Sequence, residues 1–172
     1  MRRVTRFFRR NMILITGGVK SGKSTLALEL ARKSSAPRLF IATSVPFDAE
    51  MTRKIARHKK ERGNGFILRE EPCDIHKPLK TGGVNVTLID CVTTWVSNLI
   101  YYKKDLNKYF KNFLGSLRGN EIIVTNEVGL GIIPADGLSR EYLNRLGNIN
   151  KLLAARADEV YLMVSGIKVR IK

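Results

Sequence analysis

The chain has 172 residues, 44% apolar and 27% charged, with a formal net charge of +16, a length and balance that fit one globular domain with its own core. No apolar run approaches the roughly 20 residues needed to span a bilayer, and two cysteines (Cys73, Cys91) with two histidines (His58, His76) argue against a disulfide framework or a zinc site. The charge is compatible with a solvated basic surface or with attraction to polyanions such as nucleic acid, phosphates or acidic membranes.

Residues 1–11 hold five arginines and no acids, which leaves +11 for the remainder. They read as a loose basic arm, or as the product of an early start-site assignment, ahead of a single domain over residues 12–172. The apolar stretch behind the arm is too short for a signal peptide and ends at Gly17-Gly18 without a cleavage site, so a cytoplasmic location is expected.

In chain order, residues 12–16 form a short apolar run that reads as a buried strand entering a glycine turn. Residues 24–33 carry Leu26, Leu28, Leu30 and Ala31 and read as a helix. Residues 39–43 are a second strand. Asp48 can cap a helix that runs to about Arg62, and residues 66–69 suggest a short strand. Residues 84–89 are a further strand closed by Asp90, followed by a helix over about 93–102. Residues 103–111 are polar and predict nothing definite. Residues 121–125 are another buried strand, ending at Asn126-Glu127. Residues 139–156 predict a long helix, with Leu143, Leu146, Ile149, Leu152 and Leu153 at helical spacing. Residues 160–164 and 169–171 are the last strands. Alternating helices and Val/Ile/Leu-rich strands indicate an α/β fold with a mainly parallel sheet and helices on both faces. Ligands of such sheets bind at the carboxyl ends of the strands, which points to Gly17 onward, Thr43-Ser44, Asp90 and Asn126-Glu127.

Gly17-Gly18-Val19-Lys20-Ser21-Gly22-Lys23-Ser24 satisfies G-x-x-x-x-G-K-[ST] at every fixed position, between a strand and a helix. Glycines let the backbone wrap with its N–H groups aimed at phosphate oxygens, and the helix N-terminus adds a favourable dipole. Lys23 can reach the β and γ phosphates and Ser24 can ligand Mg²⁺. Such loops use a second acid for magnesium at the end of another strand; Asp90 is the first candidate and Glu127 the second. His58 shares a helix face with Met51, Ile55 and Arg62. On spacing alone it reads first as a surface histidine of a basic helix. A sharper reading makes its neutral imidazole a nucleophile toward phosphorus, with Lys59, Lys60 and Arg62 neutralising triphosphate oxygens.

At this point the chain resembles the bifunctional adenosylcobinamide kinase/adenosylcobinamide-phosphate guanylyltransferases. The resemblance rests on residues 12–18 with Ser21-Gly22-Lys23-Ser24, on Ile41-Ala42-Thr43-Ser44, and on Asp48, Glu50-Met51 and Arg57-His58-Lys59. It extends through Asp90-Cys91-Val92-Thr93-Thr94-Trp95, Thr125-Asn126-Glu127-Val128-Gly129, Ala157-Asp158-Glu159-Val160 and Val164-Ser165-Gly166-Ile167. Residues 1–11 lie outside the family pattern, residues 73–84 match it poorly, and the segment 101–119 is short and lysine-rich.

The resemblance implies a RecA-like three-layer P-loop fold, a homotrimer, and two reactions. A nucleoside triphosphate, ATP or GTP, phosphorylates adenosylcobinamide. GTP then passes GMP through a histidine to adenosylcobinamide phosphate. His58 matches the guanylylated histidine. Gly17 to Ser24, Thr43, Ser44 and Val45, Lys59, Lys60, Glu61 and Arg62, Glu70 and Asp90 match the nucleotide-binding set, with Lys23 catalytic and Ser24 and Asp90 on Mg²⁺. Two further readings stand beside it. One is a P-loop kinase for another small alcohol or nucleotide, which would not need His58. The other is a basic nucleic-acid-binding NTPase, against which stands the lack of an aromatic–basic binding motif, so no specific nucleic-acid partner is expected.

Overall fold

The computed structural model describes residues 11–172, apart from the side chains of Glu50, Met51, Lys54 and His58. Of the basic arm only Asn11 lies within the described residues, and its side-chain amide donates to Glu159 Oε1.

Among the described residues thirteen elements follow in order: β1 (Ile13–Gly17), α1 (Lys23–Arg32), β2 (Arg38–Ala42), α2 (Ala49–Arg62), β3 (Ile67–Glu70), α3 (His76–Lys80), β4 (Val86–Asp90), α4 (Val92–Tyr101), α5 (Leu106–Ser116), β5 (Glu121–Val124), α6 (Gly137–Arg156), β6 (Glu159–Val164) and β7 (Ile167–Arg170). The strands form one sheet in the order β3-β2-β4-β5-β1-β6-β7. All neighbours are parallel except β6 and β7, which form an antiparallel edge pair.

The period-2 alternation of strand side chains divides the core into two layers. Leu14, Ile41, Ile89 and Ile123 face α4, α5 and α6, where Trp95, Phe113, Leu146 and Leu153 are fully buried. Ile15, Phe40, Leu88 and Val124 face α1 through Leu26, Ala27 and Ala31. Each large apolar side chain withdrawn from water contributes roughly 1.5–3 kcal/mol, so a strand apolar on both faces is the stable choice here. This is the three-layer arrangement the alternating elements predict.

Three buried polar groups show how the layers are joined. Trp95 Nε1 donates to the Cys73 carbonyl at 2.7 Å. Asn98 Nδ2 donates to the carbonyls of Thr43 at 2.8 Å and Pro72 at 3.0 Å, tying α4 to the loops after β2 and β3. Glu121, fully buried at the start of β5, accepts backbone N–H groups from Arg118, Gly119 and Asn120 at 2.7, 2.9 and 3.1 Å.

Two helices were not expected. In α5, Leu106, Tyr109, Phe110, Phe113 and Leu114 recur at helical spacing and pack on the core, and Asp105 caps the first turn by accepting the Lys108 N–H at 3.0 Å. The intervening lysines hide this stripe when only overall polarity is read. With five residues, α3 is too short for any period to show. Among the described residues no helix is long and apolar enough to cross a membrane.

Candidate active site

Strand register builds the site. Ile15 lies opposite Val124, Val124 opposite Asp90, Asp90 opposite Ala42 and Ala42 opposite Glu70. The carboxyl ends of β1, β5, β4, β2 and β3 therefore align, and the segments that follow them meet along one edge. A cavity of about 820 Å³ opens there.

The phosphate loop is one wall. Gly17 has φ of 140° and Gly22 has φ of 94°, conformations that favour glycine. A Cβ on Gly17 would lie 2.3 Å from the Met163 carbonyl oxygen in β6, whereas one on Gly18 would meet nothing within 4 Å. The turn between β6 and β7 braces the loop through the Gly166 N–H, which donates to the Ser21 carbonyl at 3.1 Å. Lys23 opens α1 and is buried, its Nζ donating to the Gly18 carbonyl and lying 3.5 Å from Ser21 Oγ. The first turn of α1 holds no acid, so its N-terminal dipole faces the cavity uncompensated.

The other walls come from α2 and from the ends of β2, β3, β4 and β5. Arg62, the last residue of α2, is 7% exposed, with its guanidinium 4.6 Å from the centroid of Phe40. Burial pulls its pKa down, while the charges of Glu70 and Asp90 hold it up. Among the described side chains, six cations line the cavity (Lys20, Lys23, Arg53, Arg57, Lys59, Arg62) against three acids (Glu61, Glu70, Asp90). A concave site with this excess of positive charge concentrates polyphosphate anions.

Of the site residues expected from sequence, Val19, Lys20, Ser21, Gly22, Lys23 and Ser24 line the cavity, as do Ser44, Lys59, Glu61, Arg62, Glu70 and Asp90. Gly17 and Gly18 shape the loop without lining it, and Val45 and Lys60 are not in the lining. Thr43 is placed otherwise than expected. It is fully buried, and its hydroxyl is occupied by the backbone of residue 91, donating to the Cys91 carbonyl at 2.8 Å and accepting the Cys91 N–H at 2.9 Å. Thr43 thus staples β2 to the end of β4, where the Asp90–Cys91 peptide is cis. Between the two candidate acids the cavity takes Asp90. The Glu127 carboxylate turns to the Gly129 N–H at 3.0 Å, while its own backbone N–H donates to the Gly17 carbonyl at 3.1 Å. The backbone of His58 lies in α2 and its side chain is outside the described residues. Asn126, one of the strand-end residues to which the sequence pointed, also lines the cavity, as do Thr94, Arg53 and Arg57, which it did not single out. For Asn126 the usable signal was its place directly after a buried strand.

Magnesium fits the donor set. This cation uses one or two carboxylates and hydroxyls together with the oxygens of the bound polyphosphate, rather than a complete protein cage. Ser24 and Asp90 supply such a pair in the cavity. Among the described residues no group of three or more His, Cys, Asp or Glu could hold a metal ion.

Residues 13–171 match the family model described as cobinamide kinase / cobinamide phosphate guanyltransferase. The bifunctional adenosylcobalamin biosynthesis protein CobU of Escherichia coli (strain K12) is 36% identical over 183 residues, covering 94% of this chain and 99% of its own. The bifunctional adenosylcobalamin biosynthesis protein CobP of Pseudomonas aeruginosa is 35% identical over 166 residues, covering 92% of this chain and 96% of its own. Among solved structures, flagellar accessory protein FlaH from Methanocaldococcus jannaschii matches with a TM-score of 0.50 at 14% identity, over 94% of this chain and 78% of that one. That likeness is one of fold, the RecA-like P-loop arrangement.

Proposed function

The chain belongs to the cobinamide kinase/cobinamide phosphate guanyltransferase family and is a bifunctional enzyme of adenosylcobalamin biosynthesis, and on that premise we propose how its residues divide the two reactions. The observation that carries the assignment is the strand register, which sets the phosphate loop, Asp90 and the basic end of α2 around one cavity.

In the kinase step the loop from Gly17 to Ser24 holds the triphosphate of ATP or GTP on its backbone N–H groups. The Lys23 ammonium leaves the Gly18 carbonyl for the β and γ phosphates. The hydroxyl oxygen of adenosylcobinamide bonds to the γ phosphorus as the bond to the β–γ bridging oxygen breaks. The nucleoside diphosphate keeps that electron pair and the hydroxyl proton passes to water. Magnesium, when held by Ser24 and Asp90, supplies positive charge to the non-bridging oxygens. Arg62 and Lys59 add fixed positive charge from α2, and Arg62 is fixed by burial against Phe40.

In the guanylyl step His58 is the nucleophile. A ring nitrogen bonds to the α phosphorus of GTP, and pyrophosphate leaves with the electron pair of the α–β bridge. An oxygen of adenosylcobinamide phosphate then displaces the imidazole, giving adenosylcobinamide-GDP and free enzyme. Splitting the transfer replaces one displacement between two polyanions by two at the α phosphorus, in which the imidazole nitrogen is first the nucleophile and then the leaving group. Position 58 stands three residues after Ile55 and four before Arg62, both of which line the cavity, and this spacing favours the assignment.

The test is incubation with GTP radiolabelled at the α phosphorus, followed by denaturing electrophoresis. Wild type is expected to carry an acid-labile, base-stable label, and His58→Ala to carry none. An unlabelled wild type that still binds GTP would sink the covalent route.

A further inference from the structure

The loop after β2 and the far end of α4 carry aromatic side chains that neither reaction has yet used. Phe47, Tyr101 and Tyr102 are 54%, 68% and 42% exposed. Their rings stand in a row, edge to face, with centroids 5.4 Å apart between Phe47 and Tyr101 and 5.1 Å apart between Tyr101 and Tyr102. Such pairs stabilise one another, yet the row leaves apolar ring surface in water, and an exposed apolar patch beside a cleft commonly marks a binding surface.

The row continues the cavity wall. Ser44 and Thr94 line the cavity. Phe47 is three residues beyond Ser44, within roughly 10 Å along the chain. Tyr101 is seven residues beyond Thr94, so it lies on the same side of α4, about 10 Å along the helix axis. Between them on that side, Asn98 donates to the Thr43 carbonyl at 2.8 Å and holds the loop against the helix. Both supports of the row are fixed. The Phe47 N–H donates to the Val45 carbonyl at 3.0 Å. The helix ends in a left-handed turn at Lys103, with φ of 51°, where the N–H groups of Lys103 and Lys104 donate to the carbonyls of Ile100 and Leu99 at 3.0 and 2.8 Å. The rings form a ledge beside the cavity that needs no ordering when a ligand arrives.

We infer that this ledge seats the corrin macrocycle of adenosylcobinamide and of adenosylcobinamide phosphate, with Phe47 and Tyr101 as its apolar contacts. This rests on the reading that both reactions take place in the cavity. The reacting hydroxyl stands at the end of the aminopropanol arm, so the macrocycle lies an arm's length from the phosphorus, and the ledge stands at such a remove. The corrin offers a broad, methyl-bearing face, which aromatic rings match in shape and polarity. Charge points the same way. Adenosylcobinamide is a cation centred on cobalt and the corrin, and the basic residues that draw polyphosphate into the cavity repel it. Neutral rings with negative faces attract a diffuse cation instead.

The experiment measures Kd for adenosylcobinamide by equilibrium dialysis, read at the visible absorption of the corrin, and kcat and KM for both reactions. The proteins are wild type, Phe47→Ala, Tyr101→Ala and Tyr101→Phe. Truncating an apolar anchor weakens binding by about tenfold or more. Each alanine variant is expected to raise Kd for adenosylcobinamide, and KM for both corrinoids, by about tenfold. Their kcat and KM for ATP are expected to stay within about threefold of wild type, the pattern of an interaction made equally in ground and transition states. Tyr101→Phe keeps the ring and is expected to bind the corrinoid within about threefold of wild type. Labelling by GTP needs no corrinoid and is expected to reach the wild-type extent. Corrinoid Kd within about threefold of wild type in both alanine variants would overturn the inference. So would a rise in KM for ATP that matches the rise for the corrinoid, since that is general damage to the site. A smaller mass at sedimentation equilibrium in the alanine variants would make the ledge an interface between copies and overturn it too. Lys103 and Lys104 border the ledge, so phosphatidylglycerol vesicles are tested as well; vesicle binding lost in variants with unchanged corrinoid Kd would give the ledge to a membrane instead. A wild type that binds adenosylcobinamide without phosphorylating it would overturn the underlying reading, whereas normal turnover with unchanged variants would overturn the inference alone.

Discussion

A Cβ built on Gly17 would lie 2.3 Å from the carbonyl oxygen of Met163, and the residue has φ of 140°. Neither can be relieved by a rotamer change, because the obstacle is the backbone of the neighbouring strand, and Gly17 pairs with Met163 in the sheet. Alanine there is expected to cost on the order of 3 kcal/mol. Gly18 has open space around its Cα, and alanine there is expected to stay within about 0.5 kcal/mol of wild type. Urea denaturation of the two variants checks this; indistinguishable midpoints would refute it. Both glycines satisfy or adjoin the same motif, and only the approach of β6 separates a glycine needed by the fold from one that is not. The same holds for Thr43, whose hydroxyl is used by the Cys91 backbone rather than turned to the cavity.

Among the elements, α4 and α6 are joined by Tyr142, whose hydroxyl donates to the Thr93 carbonyl at 3.2 Å. Burial pushes the Tyr142 phenol from 10.0 up to about 12, and the charge of Cys91 acts in the same direction. The folded state thus holds this proton more tightly than the unfolded chain. Its contribution is whole below pH 10 and is lost as pH rises from 10 toward 12. Wild type is expected to lose more urea stability across that window than Tyr142→Phe, which has no proton to lose. Parallel losses in the two proteins would argue against a buried phenol. The strands and long helices were legible because their apolar residues recur at period 2 or 3.6. The stripe of α5 was present too, yet lysines between its members masked it. The antiparallel turn of β7 was not legible, since pairing direction depends on the chain reversal at Ser165-Gly166, where both φ values are positive.

For the whole molecule, we propose a homotrimer, as the family resemblance implies. Leu130, Ile132, Ile133 and Leu138 are 84%, 96%, 76% and 64% exposed within one stretch after β5, and a contiguous apolar patch on a protein surface commonly marks a contact area. A ring of three closes such contacts without leaving an open end. Sedimentation equilibrium is expected to give three times the 19.4 kDa chain mass; a single species of 19.4 kDa at micromolar concentration would exclude the trimer. The +16 charge has a local counterpart in the six cations that line the cavity among the described residues.

Taken alone, the sequence determined the phosphate loop, the layered α/β architecture and the family. These depend on residues contiguous in the chain or on periodicities along it, so neighbouring bonds suffice to set them. Tertiary structure decided that Asp90 rather than Glu127 lines the cavity, that Thr43 is buried against the Cys91 backbone, and that Asn126 lines the cavity with its backbone held by Thr93 and Asn150. Those outcomes depend on which strands lie side by side and in what register. Adjacent residues at a strand end point to opposite faces, and only the neighbouring strands decide which of them meets the substrate.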